Sequence, residues 1–219
     1  PRIDQYLKFR GFNKKKNFSS TFPVNKSFFK IKKIKIKVNK KKFNLCYAGN
    51  FGYDNHLDDL LNMISKLNSD EFFFHFFGKG SQKNFLVKKY SHLKNIKFYK
   101  HTKYTKLHSV LTKMDSMILS FGFKNNYPIF GHELNKLNNY LMTHKPIVVF
   151  GSYKNLSINR GKFLFIKKNN IELFESKLKD LKKNYVYWLK LSKINKEKFL
   201  KKNDENKIFK KTLNYIENL

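Results

Sequence analysis

The chain has 219 residues, 41% hydrophobic and 17% aromatic, enough for one well-packed domain, or a domain plus an arm, and too apolar for global disorder. Its 47 basic residues outnumber 15 acidic ones, giving a formal net charge of +32. No apolar run approaches the roughly 18 residues that span a bilayer, no signal-peptide pattern is present, and the lone Cys46 excludes an internal disulfide and fits a reducing compartment.

In chain order, residues 2–10 read as a short helix closed by Gly11, and 18–22 and 28–38 as strand candidates. Lysine and aliphatic residues alternate through 31–38, and the stretch reads best as a solvated linker between domains. From Asn44 the rhythm becomes regular. Leu45 to Ala48 form a buried strand that ends in the turn Gly49-Asn50-Phe51-Gly52, and a helix follows with Leu57, Leu60, Leu61, Ile64 and Leu67 at helical spacing. Phe72 to Phe77 make a second strand ending at Gly78-Lys79-Gly80, residues 82–90 a short helix and 96–99 a third strand. A helix over 103–113, a strand over 116–120, a loop to Phe130, a helix over 133–144 and a strand over 146–150 come next. Phe163 to Ile166 suit a sixth strand, and 170–183, 185–201 and 206–218 read as lysine-rich helices. Tyr185, Tyr187 and Trp188 are placed to pack the C-terminal helices onto the domain.

Short apolar strands alternating with helices predict an α/β fold, a doubly wound, mainly parallel six-stranded sheet with C-terminal helices. With the usual order 3-2-1-4-5-6, ligands bind beyond the strand ends between strands one and four. The walls there are Gly49 to Gly52, the loop after Ser120 and the start of the helix over 133–144. Gly131 ends that loop, Leu134, Leu137, Tyr140, Leu141 and His144 trace a helical face, and Pro146 stops the helix. Free N–H groups and a positive helix end, with Lys136 in the first turn, suit a phosphate or diphosphate.

Taken together these pieces resemble the C-terminal, donor-binding half of family-4 glycosyltransferases of the GT-B fold, nearest the bacterial surface-polysaccharide members. The stretch from Leu134-Asn135-Lys136-Leu137 through Tyr140-Leu141-Met142 to Lys145-Pro146-Ile147 is similar to that group's hallmark segment. Tyr47-Ala48-Gly49-Asn50-Phe51-Gly52 is similar to its first glycine turn, and Gly78-Lys79-Gly80 to its second. Asn95-Ile96-Lys97-Phe98 and Asp115 fit as well, while Tyr6 to Gly11 and Phe22-Pro23-Val24-Asn25 resemble the end of the family's N-terminal domain and its linker. The resemblance implies transfer of a sugar from a UDP- or GDP-sugar to an acceptor hydroxyl, with retention of configuration, in polysaccharide or glycolipid assembly. It implies a nucleotide-sugar donor and a sugar or lipid-linked acceptor, no further cofactor, no metal, and a cytoplasmic protein, whose basic surface suits peripheral contact with the anionic inner face of a membrane.

By the same resemblance the donor site comprises Gly49, Asn50, Gly52, Gly78, Gly80, Gly131, His132, Glu133, Asn135, Lys136 and Asn139. Lys136 would contact the diphosphate, and the base would lie near Gly78-Lys79-Gly80 and residues 100–104. A leaving nucleoside diphosphate gathers negative charge, which helix N–H groups and a lysine stabilise without a metal. Relatives usually carry an acidic residue at the position of Asn139, where it holds the ribose hydroxyls, and many carry a glutamate at that of Gly131. The implied organisation is the end of an N-terminal domain and linker over 1–43, a nucleotide-sugar-binding domain over 44–183 and a helical extension over 184–219. The chain opens on Pro1, so it reads as a piece of a longer enzyme, inactive alone because the other half supplies the acceptor site.

The rival reading is a basic module that binds nucleic acid or an anionic surface without catalysis. Only Arg2, Arg10 and Arg160 are arginine, the residue that base and phosphate recognition favours, and the lysines are spread along the chain with many Asn, Ile, Phe and Tyr. Those types share A/T-rich codons, so a biased genome accounts for the charge and nucleic acid is disfavoured as a partner. An inactive relative, hinted at by Asn139, and a GT-B epimerase are further alternatives. The scattered histidines show no ligand spacing for a metal, and no hydrolase or NTPase motif occurs.

Overall fold

A computed structural model of the chain describes residues 10–11, 29–121, 135–151, 163–166 and 170–218. The helix expected over 2–10, apart from its last residue, and the strand expected over 18–22 lie outside these residues. So do the loop to Phe130, beyond Phe121, and the residues 131–134.

The strands are β1 (Phe43–Asn50), β2 (Phe72–Lys79), β3 (Ile96–Tyr99), β4 (Ser116–Ser120), β5 (Ile147–Phe150) and β6 (Leu164–Ile166). They form one all-parallel sheet in the order β3-β2-β1-β4-β5-β6. Between them run α1 (Leu57–Ser65), α2 (Lys83–Tyr90), α3 (Tyr104–Leu111) and α4 (Asn135–Leu141), followed by α5 (Ile171–Lys183), α6 (Tyr185–Lys202) and α7 (Glu205–Ile216).

The strands read as unbroken apolar runs because both faces of the sheet are covered. On one face Phe43, Leu45 and Tyr47 of β1 join Phe72, Phe74 and Phe76 of β2 beneath α1, α2 and α5. On the other, Cys46 and Ala48 join Phe77, Met117, Leu119 and Val149 beneath α3 and α4. His75 belongs to this second face. Its Nε2–H donates to Asn44 Oδ1 and its Nδ1 accepts from the Tyr99 hydroxyl, both at 2.9 Å, while Asp115 accepts from the Asn44 N–H at 2.8 Å. Burial, reinforced by nearby Lys97, holds the His75 pKa down to about 4.

Four expectations are corrected. The stretch 31–38 is not solvated on all sides. Ile34, Ile36 and Val38 rest half-buried against the second core, and the Lys32 N–H donates to Ser109 Oγ of α3 at 2.6 Å. The alternation marks a one-sided strap, with Ile31 turned to solvent. The helix expected over 133–144 ends at Leu141 instead, and His144 stands exposed at a φ of +59° in the turn that leads to β5. The first strand runs on through Gly49 and Asn50, and the second through Gly78 and Lys79, because the two remain paired to their ends. Tyr185 and Trp188 do pack on the domain, but Tyr187 is 57% exposed.

Candidate functional site

β1 pairs with β2 along its whole length, but with β4 only through Leu45–Ser116 and Cys46–Met117. Beyond Cys46 the sheet therefore splays, at the point where the strand order reverses. The splay would strand the Ala48 backbone on its β4 side. Instead the buried Tyr140 hydroxyl of α4 accepts from the Ala48 N–H at 2.7 Å and donates to the Ala48 carbonyl at 3.1 Å. One phenol thus replaces a strand neighbour and fixes α4 over the gap.

With α4 so fixed, Lys136 reaches across the end of β1. Its ammonium donates to the Tyr47 hydroxyl at 3.1 Å and to Asn55 Oδ1, and sits 4.8 Å from the centre of the Tyr47 ring. Burial pushes its pKa down to about 8. The crossing is close, since a Cβ on Gly49 would stand 3.3 Å from both Lys136 Cε and Nζ. The Tyr47 hydroxyl in turn donates to the Asn50 carbonyl at 2.6 Å, pinning the turn.

The neighbouring turn needs glycine for another reason. Gly78 has a φ of +150°, and a Cβ there would fall 1.9 Å from the Gly49 carbonyl oxygen. Lys83 of α2 donates to the carbonyls of Gly78, at 2.6 Å, and Tyr99, so it closes the ends of β2 and β3. The Phe51 N–H donates to the Lys79 carbonyl and the Gln82 N–H to the Phe51 carbonyl, each at 2.9 Å, which ties the two turns together.

These elements enclose a cleft of about 330 Å³. Of the predicted residues, Gly49, Asn50, Gly78, Lys136 and Asn139 line it together. Gly52 and Gly80 stand behind it in the turns; Gly80 has a φ of +153° and abuts the Phe51 backbone. Asn135 is the first residue of α4. Gly131, His132 and Glu133 lie outside the described residues. The region expected to hold a base contributes His101 and Thr102, with Leu107 of α3 and with Phe77, whose ring stacks on Tyr99 at 4.1 Å. Asn139 Oδ1 accepts from the Tyr104 hydroxyl at 3.1 Å, so its amide is oriented by α3. Sequence reasoning missed Tyr47, Asn55, Lys83 and Tyr140. Tyr47 and Tyr140 read as core residues, and only the need of a buried hydroxyl for partners hinted at more.

The arrangement is a one-sided, electropositive cleft. Lys136 and Lys79 line it with neutral amides and backbone, and no carboxylate lines it among the described residues. Nor does any group of three or more His, Cys, Asp or Glu among them stand where it could hold a metal ion.

Comparison with solved structures identifies the architecture. A glycosyltransferase from Rickettsia africae superposes over 99% of this chain and 61% of its own, with a TM-score of 0.72 and 12% identity. The chain shares its fold with glycosyltransferases. Anabaena HepE in complex with UDP matches 82% of this chain and 50% of its own, at a TM-score of 0.65 and 8% identity. S. aureus TarM, solved with UDP, fondaparinux and alpha-GlcNAc-glycerol, matches 84% and 38%, at a TM-score of 0.60 and 18% identity. This chain thus spans between 38% and 61% of those three proteins. No family profile matches the sequence, and no curated protein matches it.

Proposed function

We propose that this cleft binds the nucleoside diphosphate of a UDP- or GDP-sugar, and that the chain is the donor-binding half of a retaining glycosyltransferase of family-4 type. The observation that carries the reading is Lys136, a cation drawn into the cleft and held there by two neutral oxygens at the strand-order reversal. Desolvation strengthens its attraction for an anion. A departing nucleoside diphosphate would meet a charge already in place, which lowers the barrier without reorganisation. The Gly49 backbone gives phosphates close access beside it, and Asn139 is oriented for a ribose hydroxyl. Solved neighbours that carry UDP support the donor class. The acceptor, a sugar or lipid-linked sugar in surface polysaccharide or glycolipid assembly, would be met together with the remainder of a longer enzyme. That enzyme would act in the cytoplasm, its basic surface resting on the anionic inner face of the membrane. Among the described residues, no helix is long and apolar enough to cross a membrane.

The test is thermal shift with UDP, GDP and ADP at low and high salt. Ligand at about 100 times its Kd stabilises the folded state by about 2.7 kcal/mol, or roughly 5–10 °C for a chain of this size. A shift selective for one nucleotide, kept in salt and lost in Lys136→Ala, is expected. An equal response to every polyanion, erased by salt, would instead leave the basic binding module.

A further inference from the structure

The Tyr47 ring is fully buried and packs against Phe51 and Phe76 at centroid distances of 5.9 Å and 6.1 Å. Phenylalanine would fill that space equally well. The hydroxyl therefore serves something other than packing, and two of its partners belong to the cleft. It donates to the Asn50 carbonyl at the end of β1 and accepts from the Lys136 ammonium of α4, which comes from 89 residues away. A Cβ on Gly49 would stand 3.0 Å from this same oxygen, so the turn, the phenol and the ammonium share one crowded point.

We propose that Tyr47 is a positioning residue for the donor diphosphate, its hydroxyl locking the Lys136 ammonium and the Gly49–Asn50 turn into one preformed phosphate-facing unit. The inference rests on the donor reading above. Asn55 is the second acceptor of the ammonium and completes the lock. Both acceptors are neutral, so they aim the charge without cancelling it, as a carboxylate would. Tyr47 thereby also favours the charged form of Lys136, and a lysine that has lost its proton no longer holds a phosphate. Among the described residues, the other titratable groups facing the cleft are Lys79 at the end of β2 and His101 ahead of α3. They are common to every variant below and cancel in the comparison.

The experiment is calorimetric titration of UDP and GDP, at pH values from 7 to 9.5, into wild type, Tyr47→Phe, Lys136→Met and the double variant. Losing a hydrogen bond to a charged group weakens binding about tenfold. Tyr47→Phe should show that loss at pH 7, with its secondary structure by circular dichroism unchanged. Its affinity should also begin to fall at a lower pH than in wild type, because its ammonium has lost an acceptor. In the Lys136→Met background the same change should cost nothing further. Gly49→Ala, whose Cβ would stand 3.0 Å from the phenol oxygen and 3.3 Å from the ammonium and so must displace them by a few tenths of an ångström, should weaken binding likewise and serves if Tyr47→Phe does not fold. Wild-type binding that Tyr47→Phe leaves unchanged, or an equal loss with and without Lys136, would overturn this inference alone. Failure of the wild type to bind either nucleotide would overturn the donor reading and this inference with it.

Discussion

Replacing Lys136 by methionine should stabilise the protein while it weakens nucleotide binding. The lysine is held down to about 8 by burial, from an ordinary 10.5. At about 1.4 kcal/mol per pH unit, that gap corresponds to about 3 kcal/mol spent on keeping the charge in place at pH 7. Methionine has similar length and removes that cost, at the loss of the bonds to Tyr47 and Asn55. Tyr47 keeps its bond to the Asn50 carbonyl, and Asn55 stands where water can reach it. The expected net gain is about 2 kcal/mol, or roughly 4–8 °C. The sign with pH follows from the depressed value. The folded state disfavours the proton, so the cost is fully present below pH 8 and fades as pH rises from about 8 towards 10.5. Urea denaturation of both proteins at pH 7 and pH 10 reads the difference directly. A variant less stable than wild type at pH 7, or a difference that does not shrink by pH 10, would refute the argument.

Two further outcomes are expected. Tyr140→Phe strands the Ala48 N–H and carbonyl at the splay and should cost about 2 kcal/mol, seen as a lower urea midpoint, without a change in secondary structure. His75, held down to about 4 from 6.5, contributes stability that is complete above pH 6.5 and declines as pH falls towards 4, where the unfolded chain takes up the extra proton. Between pH 7 and pH 5 this amounts to about 2 kcal/mol. His75→Gln should remove that part of the acid sensitivity, measured as the difference in urea midpoint at the two pH values.

The sheet was legible because each strand is a short apolar run closed by glycine or polar residues, and each helix shows its own period. The position of the cleft then followed from strand order alone. What stayed hidden was the set of contacts that make it a site. Lys136 meets Tyr47 and Asn55 across 89 and 81 residues, and Tyr140 meets Ala48 across 92, separations at which local pattern carries no information. Tyr47 and Tyr140 look like any core aromatic until their hydroxyls are given partners. The strap over 31–38 misled for a related reason. Its lysines dominate the composition, whereas its half-buried aliphatic residues find a surface only once α3 is in place.

The splay at Cys46 has a mechanical meaning. β3-β2-β1 and β4-β5-β6 are two plates joined along a seam that is paired at Leu45–Ser116 and Cys46–Met117, bonded below through Asn44 and Asp115 and latched above by one phenol. A rotation of one plate against the other would bend this seam, and so would reshape the floor of the cleft.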